Sequence, residues 1–149
     1  MAGQTKLKGH WCAKLYGPDG VLKDERSGFN IVTTNGKEAL AQALAANFNS
    51  AVTQTWQFVA IGTDATAESA AQTALISEAS RHTGTVSYIS GAIYQVTATF
   101  AAGSGTGAIV EYGLFNSNTG GTMLTRDTEA AINKGASDTL TVVHQITIG

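Results

Sequence analysis

The chain has 149 residues, 43% of them hydrophobic and only 13% charged, with a formal net charge of −2. Such a length buries enough surface to fold without disulfides or metal, and ordinary hydrophobicity excludes a disordered chain. Slight acidity excludes the basic stripe of a nucleic-acid binder, the lone cysteine (Cys12) excludes an intrachain disulfide, and no run approaches the ~20 apolar residues of a membrane helix.

The opening residues Met1–Lys6 carry no apolar signal core, so the chain is expected to be made and kept in the cytosol. Residues 1–5 read as a short arm on a single domain spanning 1–149. Along 6–16, Leu7, Gly9, Trp11, Ala13 and Leu15 alternate with Lys6, Lys8, His10, Cys12, Lys14 and Tyr16. That period of two is a strand with unlike faces. The lysines read as the solvated protection of an edge strand, and Cys12 as a small half-buried side chain. Gly17-Pro18-Asp19-Gly20 is a turn, since proline presets φ and Gly20 tolerates the conformation that follows. Residues 21–27 return beside the first strand as a wet hairpin, Gly28 breaks it, and 29–33 form a short second strand.

One helix is expected near residues 35–48, with Asn35 as cap and Glu38 three residues on. Leu40, Leu44 and Phe48 fall four apart and form the stripe that docks on the core. Residues 56–61 are a strand stopped by Gly62. The long Ala/Thr/Ser stretch 63–80 lacks strand character, and a connection of that length is usually functional or partly helical; a helical turn is expected near 70–75. Strands follow near 83–90, 92–101, 108–115, 122–128 and 138–148. The spacing predicts a mainly β, antiparallel β-sandwich of jelly-roll-like form with one packed helix. Outward positions are mostly Thr, Ser, Gln and Ala, which a partner can cover without stranding ions in a dry contact.

No reaction centre emerges. His10, His82 and His144 lack further ligands at metal spacing, apart from Cys12 two residues from His10, and zinc needs three or four. His144 alternates with Val142 and Ile146, so it is expected inward and hydrogen-bonded. Gly103-Ser104-Gly105-Thr106-Gly107 lacks the Lys of a phosphate loop and is followed by a strand. Asp24 and Glu25 are adjacent in a charged turn, Asp127 and Glu129 flank a strand end, and Asp64 with Glu68 lack a calcium-loop pattern. No catalytic, cofactor-binding or metal-ligating residue is therefore assigned. Trp11, Trp56, Tyr88, Tyr94 and Tyr112 read mainly as core, because aromatic side chains bury large areas. Trp11 is the exception: on a strand too early to be central, it is expected to make contacts, so that Trp11→Ala weakens assembly more than folding. The candidate interface residues are Lys6, Lys8, Trp11 and Trp56.

Ordered segments then carry a resemblance. They run from Tyr16-Gly17-Pro18-Asp19-Gly20 through Phe29-Asn30-Ile31-Val32-Thr33-Thr34-Asn35-Gly36 and Phe58-Val59-Ala60-Ile61-Gly62-Thr63-Asp64 to Ile109-Val110-Glu111-Tyr112-Gly113-Leu114-Phe115 and Lys134-Gly135-Ala136-Ser137-Asp138. Over nearly the whole chain this resembles small structural proteins of tailed bacteriophages. The resemblance implies a non-enzymatic virion component: a decoration or cement protein on the capsid, with the major capsid protein and copies of itself as partners, or a tail- or fibre-associated protein. A glycan-binding surface module is the further alternative, and would need exposed aromatics around a shallow groove. Capsid cement comes first, because many symmetric copies gain avidity from modest contacts without any pocket. The arm 1–5 would then add to a neighbour's sheet edge.

Overall fold

The computed structural model describes residues 6–46 and 55–149. Strands β1 (Leu7–Tyr16) and β2 (Leu22–Val32) precede helix α1 (Thr34–Ala46). Then come β3 (Phe58–Gly62), β4 (Glu78–Thr83), β5 (Thr85–Tyr88), β6 (Ile93–Phe100), β7 (Gly107–Phe115), β8 (Met123–Lys134) and β9 (Thr139–Ile148). They form one antiparallel sheet of nine strands in the order β4-β3-β7-β8-β2-β1-β9-β6-β5.

That sheet rolls into two layers because β2 serves both. Its body pairs with β1, while Ile31 and Val32 pair with Arg126 and Thr125 of β8. The chain then passes from β4, at one end of the sheet order, to β5, at the other, through Gly84 alone. Closure there is tight, since a side chain on Gly84 would meet Thr97 O at 2.9 Å. Inner faces of both layers supply the core: Trp11, Leu15, Phe100 and Val142 from the first, Ile61, Tyr112, Leu114 and Ile132 from the second. The chain thus forms the expected mainly β, antiparallel two-layer architecture with one short helix, curled nearly into a barrel.

Several local expectations are corrected. β1 is no edge strand: β9 returns along it from Leu7↔Ile148 to Tyr16↔Thr139, so both sides of β1 are paired. Gly28 breaks nothing, because it keeps a strand backbone and pairs with Trp11, leaving β2 continuous. The helix is capped by Thr33, whose buried hydroxyl accepts from Gly36 N at 2.9 Å and donates to Met123 O. Gly36 lies so close to β8 that a Cβ would stand 2.7 Å from Leu124 Cα. The helix therefore docks through its first turns and Ala39, while Leu44 is 65% exposed. Phe48 lies outside the described residues, as do residues 1–5.

Residues 70–75 form no helix, only a turn in which Gln72 N reaches Ser69 O at 3.1 Å. β4 is an unexpected strand, and β8 runs on to Lys134 because residues 129–134 continue beside β7.

Candidate interaction surface

The two layers differ in what covers them. On the second layer's outer face, residues 63–77 fold over a small core of Ala60, Leu75, Phe115 and Met123. Glu111 and Arg126, both fully buried, fasten this loop. Glu111 accepts from Ile76 N at 3.0 Å, Ser77 N at 2.7 Å and Arg126 Nη2 at 2.8 Å. Arg126 Nη1 donates to Thr66 O at 2.9 Å and to Gln72 Oε1 at 3.1 Å. Ion pair and loop thus satisfy one another, as a dry charge requires. Gly62 is needed at the loop's start, since a Cβ would collide with Glu111 and Ser77 O. Thr128 further donates to Glu68 at 2.6 Å, holding that carboxyl below its ordinary range.

The first layer's outer face has no such cover among the described residues. By register its rows run Phe29, His10, Gln145, Gln95 and Ser27, Cys12, Val143, Thr97. Gln145 donates to Gln95 at 2.7 Å, and His10 sits edge-on to Phe29 with ring centroids 5.6 Å apart. Phe29 is 78% exposed, an unusual state for a large aromatic in mid-strand. The face's charges are Lys6 and Lys8 at one end and Lys14, 3.8 Å from Glu25, towards the other. Lys23, beyond them, reaches across to Asp138 at 2.9 Å. Between those charged ends the two middle rows hold no Asp, Glu, Lys or Arg, so a partner covering that part of the face desolvates few ions.

Of the residues expected to make contacts, Lys6 and Lys8 are exposed where β1 begins. Trp11 and Trp56 are corrected: with 0% and 6% of their surface exposed, they belong to the core. Trp11 points inward because β1 is central. Its ring stacks on Tyr112 at 4.1 Å and its Nε1–H donates to buried Asp127. Truncating Trp11 therefore acts on folding, contrary to the expectation from its place in the chain.

His144 is inward as expected, with Nδ1 3.2 Å from Asn30 Nδ2 and Nε2 unpartnered. Burial drives its pKa down to about 3, so it stays neutral. Asp127 moves the other way: burial raises its pKa to about 6, the Trp11 bond opposes this, and neighbouring Glu68 adds to it. His82 bonds Ser104 Oγ at 2.7 Å, and His10 lies on the outer face, so the three histidines do not converge. Among the described residues no three His, Cys, Asp or Glu side chains are placed to hold a metal ion. Nor is any helix among them long and apolar enough to cross a membrane.

Near α1 an apolar cleft of about 300 Å³ opens between Leu40, Trp56, Val86, Tyr94, Leu124 and Ile146. Tyr94, its one ionisable lining group, donates to Trp56 O, and burial pushes its pKa up to about 12. It offers no acid, base or nucleophile at neutral pH.

Sequence reasoning missed Glu111–Arg126, Asp127 and Phe29. Glu111, a lone charge inside the otherwise apolar run of β7, was the available signal for the first; Arg126 gave less, since β8 is rich in polar and charged residues. Phe29 gave none, since its neighbours in sequence are consistent with either face. No protein-family model, no curated protein and no solved structure matches the chain.

Proposed function

We propose that the protein is a non-enzymatic structural subunit of a tailed-phage virion, a decoration or cement protein that stabilises the head shell by repeated modest contacts. One observation carries this reading: the second layer's outer face is closed by the protein's own fastened loop, while among the described residues nothing covers the first layer's outer face, whose middle rows hold no Asp, Glu, Lys or Arg. A surface of that kind suits broad protein–protein contact. The major capsid protein and copies of the chain itself are the partners in this reading, and the virion surface its location. The glycan-binding alternative is weakened, because of the five rings it would draw on Trp11, Trp56 and Tyr112 are buried and Tyr94 is half-buried, which leaves Tyr88 as the exposed one.

The test adds purified protein to expanded, empty phage heads and measures uptake by sedimentation. Saturation in fixed proportion to shell subunits is expected. Uptake at one vertex, or on tails alone, would favour the tail-associated reading and overturn cement.

A further inference from the structure

We propose that the seam where β2 parts from β8 is a binding site for a primary ammonium group, held by Asp127, Glu129 and the Tyr112 hydroxyl. The site lies between the layers rather than on the uncovered outer face, so it stands or falls independently of the virion role.

The seam exists because β2 and β8 pair only at Ile31↔Arg126 and Val32↔Thr125. Beyond that point β2 stays with β1 in the first layer and β8 with β7 in the second. The two strands still run near each other without a ladder. Gly28 lies close to Glu129, and Arg26 Nη2 reaches Ala131 O at 3.4 Å.

Three acceptors meet in this seam. Asp127 is buried and accepts from Trp11 Nε1. Glu129 is exposed and lies near it: a Cβ on Gly28 would stand 3.6 Å from an oxygen of each carboxylate and 3.5 Å from the indole nitrogen. Tyr112 pairs with Asp127 in register and is fully buried, yet its hydroxyl has no hydrogen-bond partner among the described residues. Burial above all raises its pKa, and the charges of Arg26, Asp127, Asp24 and Glu129 act on it, so its hydroxyl end faces into the seam. A buried hydroxyl without a partner is costly, and so is a buried carboxylate without a cation.

A cation with several donors answers all three. Among the described residues neither Asp127 nor Glu129 belongs to an ion pair. Arg26, the seam's own cation, is engaged elsewhere, since its Nη1 donates to Asp24 and to Glu25 O. Glu68, from the loop, adds negative charge near Asp127. A metal ion fits less well, because no three His, Cys, Asp or Glu side chains among the described residues converge to hold one. An ammonium group carries three N–H donors and no acceptor, which matches two carboxylates and a phenol oxygen. Gly28 leaves the approach to them open, and its ordinary strand backbone would accept alanine.

The experiment titrates n-butylammonium chloride into the full-length chain at neutral pH and constant ionic strength, following the Trp11 indole N–H by NMR. That proton is bonded to Asp127, so it reads the site directly. A single saturable shift is expected, with tetramethylammonium, which has no N–H, binding at least tenfold more weakly. Glu129→Gln and Gly28→Ala should each weaken binding at least tenfold. Glu129 is exposed and the alanine methyl meets its neighbours at ordinary contact distance, so melting temperatures should match the parent's. Putrescine and N-acetyl-lysine methylamide carry the same group, and whichever saturates first tells a free diamine from a partner's lysine. The proposal is overturned by the lack of a saturable shift, by an equal response to tetramethylammonium, or by binding undiminished in both variants. Saturation by magnesium chloride in place of the amine overturns it as well.

Discussion

Two buried titratable side chains, His144 and Asp127, sit either side of Trp11: His144 pairs with it in register and Asp127 accepts from its indole. Their linkage to folding has opposite sign. His144 has a folded pKa of about 3 against an ordinary 6.5, so the unfolded chain holds the proton more tightly and stability rises as pH climbs from about 3 to 6.5. Asp127 has a folded pKa of about 6 against 3.8, so the folded chain holds the proton more tightly and stability falls as pH climbs from about 4 to 6. Between pH 4 and 6 the two slopes oppose each other. We therefore expect a shallow dependence of the urea midpoint on pH over that window in the parent. Asp127→Asn keeps an acceptor for the indole but removes the titration, and should expose the histidine's slope, with stability rising towards pH 6. His144→Gln should expose the opposite slope. Equal curves for all three chains would show that neither group is linked to folding.

The loop 63–77 is ordered by polar atoms rather than by secondary structure of its own. Breaking a buried ion pair typically costs about 3–5 kcal/mol, because the surviving charge stays dry and unpaired. Arg126→Met should therefore destabilise the protein by that order and also release Thr66 O and Gln72 from their donor. Hydrogen exchange should quicken at Ile76 and Ser77, whose amides depend on Glu111. Unchanged protection at those two amides would mean that the apolar contact of Leu75 alone holds the loop.

This loop also marks where the sequence stopped being readable. Strands with strict alternation, such as β1, β6 and β9, were legible because one face must be apolar. β4 was not, because its residues are Glu, Ala, Ser, Arg, His and Thr, and it is held by backbone pairing with β3 and by Arg81 stacked 3.6 Å over Phe115. The polarity of the outer faces could be read from alternation. Which layer would be bare could not, since that depends on a loop fastened by residues about 34 to 60 positions distant in sequence.

At the scale of the whole molecule, β1 is symmetrically placed: β2 flanks it on one side through a tight turn, and β9 on the other through a pairing that spans almost the entire chain. Lys6 and Gly149 exchange two backbone hydrogen bonds of 3.2 Å, so the ends of the described fold are adjacent. The β1–β2 turn is closed by Gly17 and Val21 at 2.9 Å and exposes Pro18, Asp19 and Gly20 to solvent. A circular permutant can therefore open the chain between Asp19 and Gly20 and join residue 149 to residue 6 by a short Gly/Ser linker. One hairpin is exchanged for another around the same central strand, and loop-closure entropy changes slowly with length, so stability should fall by no more than about 1–2 kcal/mol. Trp11 and Asp127, 116 residues apart in the native order, become much closer along the chain. Refolding should accordingly be no slower than the parent's, since local contacts close sooner than distant ones. Stopped-flow refolding followed by tryptophan fluorescence checks this. A permutant that aggregates or folds far more slowly would show that the β1–β2 hairpin has to form first, making the turn at Pro18 a kinetic requirement rather than a convenient connection.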